Sequence, residues 1–101
     1  MNKKIYDKLI KSVHLPDAHI WHITDYEEVL EYLLKENQLL LGGDILDNLD
    51  GDYGYESSNW YYQGKSCKES IEIARKYLAE FIELNPNGDY AVEYVFKSEL
   101  Y

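Results

Sequence analysis

The chain has 101 residues, 46% of them hydrophobic and 29% charged, with nineteen acids against ten Lys and Arg and a formal net charge of −9. That length suits one domain with a modest core, and the composition excludes a disordered chain. The charge excludes a protein that holds nucleic acid or anionic lipid through general electrostatic attraction. A single cysteine, Cys67, excludes an internal disulfide and suits a reducing compartment.

The basic start Met1-Asn2-Lys3-Lys4 is not followed by an apolar signal core, because Asp7, Lys8 and Lys11 interrupt residues 5–13. No apolar run approaches the roughly 20 residues that cross a bilayer. The expectation is one domain over residues 1–101, located in the cytoplasm.

Residues 3–13 can form a short helix with Ile5, Leu9 and Val13 spaced four apart, ended by Leu15-Pro16. Residues 14–23 read as a connector anchored by Trp21 and Ile23. Thr24-Asp25-Tyr26-Glu27 has the form of a capping box and predicts a helix to about Asn37, with Tyr26, Val29, Leu30, Leu33 and Leu34 on its apolar face. Residues 39–46 suit a buried strand. Gly42-Gly43 within it predicts a bulge or a close backbone approach. Asp50-Gly51 is a hairpin signal, and residues 53–63 form the returning strand. Ser66-Cys67-Lys68-Glu69 is a second capping box that opens a long helix to about Leu84, with Ile71, Ala74, Leu78, Phe81 and Ile82 as its core stripe. After Asn85-Pro86-Asn87-Gly88, residues 90–97 alternate, with Tyr90, Val92, Tyr94 and Phe96 on one face and Ala91, Glu93, Val95 and Lys97 on the other.

This order predicts an α+β fold of topology ααββαβ. A hairpin and a right-handed crossover would give a small three-stranded antiparallel sheet in order 2-1-3, with the helices packed on one face.

Catalytic and metal-binding patterns are sparse. His14, His19 and His22 cluster in the connector, but their spacing matches no zinc motif. Cys67 at a helix start lacks a general base paired to it by motif. Placing Gly51 at the turn position of an EF-hand loop puts Leu46 and Ser57 where the first and last ligands belong. The expectation is a protein that is not an enzyme and carries no metal or cofactor.

The charge pattern is more informative. Between Lys35 and Lys65 there is no Lys or Arg, whereas Glu36, Asp44, Asp47, Asp50, Asp52 and Glu56 all fall there, interleaved with Tyr53, Tyr55, Trp60, Tyr61 and Tyr62. Acids concentrated in one segment attract a basic surface, and tyrosine and tryptophan are the residues that anchor protein interfaces.

Gly42-Gly43-Asp44 at the end of a leucine-rich strand, Asn59-Trp60-Tyr61 on the next, then Ser66-Cys67, Ser70, Ala74 and Tyr77-Leu78 on a helix before a tyrosine-rich last strand make a pattern. Over residues 24–97 it resembles family forty of the immunity proteins of bacterial polymorphic-toxin systems. The resemblance implies a cytoplasmic α+β protein that binds and neutralises a toxin domain in a stoichiometric complex. Such toxins are delivered by neighbouring cells, as in contact-dependent inhibition, or made by the same cell. A basic toxin, of which nucleases are an example, fits the acidity.

The residues expected to contact it are Asp44, Asp47, Asp50, Asp52 and Glu56 for charge and Tyr53, Tyr55 and Trp60 for anchoring. Trp60 and alternate tyrosines of that strand are equally candidates for the core, because every second side chain must face the helices. The competing reading is an adaptor or a subunit of a larger complex with no toxin partner.

Overall fold

The computed structural model describes residues 3–11 and 17–98. The expected contribution of Val13 to the first helix, and His14, lie outside the described residues. That helix, α1 (Lys3–Asp7), is shorter than the spacing predicted, and it buries Ile5 completely.

The connector holds the first departure. Ile20–His22 is a strand, β1, which pairs antiparallel with the last strand. Three residues are too few for a period-two pattern, so burial of Ile20 and Trp21 on opposite faces is what marks it. Trp21 is fully buried and its Nε1 donates to the Ile5 carbonyl at 2.5 Å, which ties α1 to the sheet edge.

The predicted Thr24 capping box does not form. Residues Ile23–Asp25 make a 3-10 turn, the Nδ1 of His22 lies 2.9 Å from the Thr24 hydroxyl, and α2 (Tyr26–Lys35) begins after Asp25 with no side-chain cap. A missing cap costs about 1 kcal/mol. The helix survives because Val29, Leu30 and Leu33 are fully buried, at about 1.5–3 kcal/mol each. The second capping box is half formed. Ser66 accepts from the Glu69 amide at 3.1 Å, but the Glu69 carboxylate takes the Tyr62 hydroxyl at 2.5 Å instead of turning back. From that cap runs α3 (Cys67–Leu84), with Ile71, Ala74 and Leu78 fully buried.

The hairpin is longer than predicted, with β2 (Gln38–Leu49) and β3 (Asp52–Tyr61) joined at Asp50-Gly51, both at positive φ (54° and 86°). Two consecutive residues in that region match the twist of the flanking strands. The chain ends its described part in β4 (Tyr90–Ser98).

The sheet is therefore four-stranded and not three-stranded. Its order is β1-β4-β2-β3 with every neighbouring pair antiparallel, so β1 extends the sheet beyond the last strand. One face carries Leu40, Ile45, Trp60, Val92 and Tyr94 against α2 and α3. The other face is not bare. Ile20, Leu46 and Ala91 form a second small cluster there, covered by Ile10, Ala18 and Tyr53. The amide of Ile10 donates to the Ile20 carbonyl at 2.8 Å, which brings the segment after α1 round the β1 edge. The helices themselves pack on the first face alone, and the second is covered by Ile10, Ala18 and Tyr53, none of which is helical.

A candidate partner-binding face

Gly42 and Gly43 shape the site. A shift of register between Leu40 and Gly42 lets β2 slip by one residue against β4, and Gly42 adopts φ +151°. A Cβ on Gly42 would lie 2.3 Å from the Trp60 carbonyl oxygen, and one on Gly43 would lie 2.5 Å from the Trp60 ring. Gly43 lets the indole come close on the helix face, and Gly42, in register with Tyr61 and Val95, leaves a depression on the other.

That depression is an open groove of about 380 Å³ lined by Leu41, Gly42, Gly43, Asp44, Asn59, Trp60, Tyr61 and Val95. Strand alternation decides who shows. Trp60 points to the helices at 7% exposure, its ring tilted against Tyr77 and edge-on to Tyr94, so its neighbours Asn59 and Tyr61 face outward. Tyr61 is 74% exposed and Val95 46%.

Asp44 faces Glu93 directly across β2 and β4, and Glu56 reaches the same spot from β3. Partial burial, then Glu56, then Glu93 push the Asp44 carboxyl up to about 7. No Lys, Arg or His pairs with any of the three among the described residues, whose ion pairs lie elsewhere: Lys8 with Asp25 and Glu28, His22 with Asp89, and Arg75 with Glu27 and Glu72. Asn59 Nδ2 donates to Glu56 at 2.9 Å and fixes one of the carboxylates. Among the described residues no group of three His, Cys, Asp or Glu is placed to hold a metal ion.

The remaining acids of the cation-free interval lie towards the hairpin tip. Asp50 is exposed there, while Asp47 and Asp52 are half-buried. Tyr53 is half-buried too. Its hydroxyl donates to Asp89 at 2.7 Å, and burial and that carboxylate push it up to about 12. Asp89 also accepts from Asn48 Nδ2 at 2.7 Å and contacts His22 Nε2 at 2.8 Å. Hydrogen bonds from Asn48, Tyr53 and His22 hold its carboxyl below the usual range. Asp89 thus clasps the tip end of the hairpin to β1 and to the turn before β4.

Of the eight residues expected at a partner surface, the fold gathers Asp44 and Glu56 at the groove and spreads Asp47, Asp50 and Asp52 along the hairpin. It places Trp60 in the core and ties the Tyr53 hydroxyl to Asp89. The side chain of Tyr55 lies outside what is described. The groove also contains Asn59, Tyr61 and Val95, and Glu93 stands beside it against Asp44; the sequence left all four unassigned. The signal for them was alternation: on β3 it sets Tyr61 opposite to Trp60, and on β4 it sets Glu93 and Val95 opposite to Tyr94.

The described residues thus form a mixed helix and antiparallel-sheet protein with an open, acidic and aromatic sheet face; no helix among them is long and apolar enough to cross a membrane. The chain belongs to the immunity protein 40 family: residues 12–96 match the family described as Immunity protein 40. No curated protein and no solved structure matches the chain.

Proposed function

We propose that this protein binds a cognate toxin domain in a stoichiometric complex and thereby blocks it, acting in the cytoplasm by occupancy and not by turnover. The observation that carries the reading is the family match over residues 12–96. The cation-free interval supports a basic toxin, such as a nuclease, because its field speeds encounter with a positive surface.

Asp47, Asp50, Asp52 and Glu56 would steer that encounter. Asp44 and the aromatic residues of β3 would contribute to the bound state. Of the anchors expected there, Trp60 acts by supporting the groove floor from the core side, and Tyr53 by holding the hairpin to Asp89.

Co-expression with the toxin encoded beside this gene tests the reading. Growth should be rescued and a complex of fixed stoichiometry should co-purify. A toxin that neither binds the protein nor is silenced by it would sink the proposal.

A further inference from the structure

We propose that the groove on the open sheet face receives an arginine side chain of the toxin, its guanidinium among Asp44, Glu56 and Glu93 and its stem and plane against Tyr61 and Val95. This rests on the reading of the protein as a toxin-binding immunity protein.

The groove has the two halves that such a side chain needs. At one end, exposed Tyr61 and Val95 flank a floor opened by Gly42 and offer apolar and aromatic surface. At the other, Asp44 lines the groove, and Glu56 and Glu93 meet it from the two adjacent strands just beyond the rim, with no internal cation among the described residues. Lys97 follows Glu93 on the same face of β4, four residues on and roughly 13 Å away along the strand, too far to neutralise it.

Like charges directly opposite in a sheet destabilise it. Here the unfavourable arrangement sits beside a groove open to solvent, so a cation supplied from outside removes the repulsion on arrival. The apolar and aromatic half of the groove beside these carboxylates matches a cation that carries an organic stem. Arginine fits better than lysine, because its planar fork bonds two carboxylates at once and its face stacks on an aromatic ring, whereas an ammonium is a strongly hydrated point charge.

The anchor this assigns is Tyr61, not Trp60. Trp60 supports the groove from beneath, since its ring fills the space that a Cβ on Gly43 would take.

The test is a titration of the catalytically inactivated toxin domain encoded beside this gene with the intact protein and with Asp44→Asn, Glu93→Gln, the pair together and Tyr61→Ala. Removing repelling carboxylates or an exposed ring leaves the fold intact, which thermal unfolding checks. The pair and Tyr61→Ala should each weaken binding by about 30-fold or more, mainly through faster dissociation. One arginine of the toxin, replaced by Ala, should then lose its effect in the Asp44→Asn background.

In the unmutated complex, the backbone amides of Gly43, Asp44 and Tyr61 should shift in NMR spectra. Unmoved amides, or groove variants that bind within about threefold of the parent, overturn the groove while leaving the immunity reading standing. Coupling to a lysine in place of an arginine overturns the assignment of the cation. Failure of the unmutated protein to bind the toxin overturns both.

Discussion

Asp44 on β2 and Glu93 on β4 stand directly opposite each other with both side chains on the open face of the sheet. Glu56 completes a trio of carboxylates there. The arrangement has a measurable consequence for the free protein. Asp44 titrates near 7 in the fold but near 3.9 in an unfolded chain. Between those values the folded protein holds a proton that the unfolded chain has released. The stability contributed by this group is complete below about pH 4 and is lost as pH rises through 7. Because the groove is open to water, screening trims the loss to about 1–2 kcal/mol. Urea unfolding at pH 5 and pH 8 should show it, and Asp44→Asn should remove the difference and be the more stable protein at pH 8. Equal pH dependence in the two proteins would refute the account.

Gly42 and Gly43 should respond differently to alanine. At Gly43 the new methyl meets the Trp60 ring at 2.5 Å and the Glu93 carbonyl at 2.7 Å, an overpacking that costs about 1–3 kcal/mol. At Gly42 it meets the backbone of β3, which cannot rotate away, and φ is +151°. Gly42→Ala should therefore be the more damaging, and denaturant midpoints of the two variants settle the ranking.

Asp89 joins three separated pieces of chain through Tyr53, Asn48 and His22. Asp89→Ala should destabilise by about 1–2 kcal/mol, a modest figure because the carboxylate is half exposed. Hydrogen exchange should rise first at the hairpin amides near Asn48 and Tyr53. Acceleration spread evenly over the whole sheet would contradict the role of a local clasp.

Converting Asp47, Asp50 and Asp52 together to their amides, with Glu56 kept because it stands against Asp44 at the groove, should slow association with the toxin by about tenfold at low salt and flatten its salt dependence. Dissociation should change less, because charges at the hairpin tip, outside the groove, act mainly on encounter. Stopped-flow rates at two ionic strengths separate the two effects.

Much of the fold was legible because its signals are local. Residues 26–35 and 67–84 carry helical spacing, Asp50-Gly51 specifies a tight turn, and alternation along residues 90–97 assigns each side chain of β4 to a face. The concentration of acids between Lys35 and Lys65 is likewise fixed by the sequence alone.

The remaining features depend on partners distant along the chain. Ile20–His22 becomes a strand only because β4 offers it an edge. The Thr24 cap is lost because Ile23–Asp25 wind into a 3-10 turn, which takes Thr24 inside the turn and leaves Asp25 at the cap position. Tyr53 could not be separated from Tyr61 by composition; Asp89, thirty-six residues away, binds the hydroxyl of one, while the other stands open beside Gly42. Sequence determined that this protein is acidic, aromatic and built of helices and strands. Tertiary structure decided which acids meet and which rings are exposed, because strand alternation gives each side chain a face but only packing decides which face is covered.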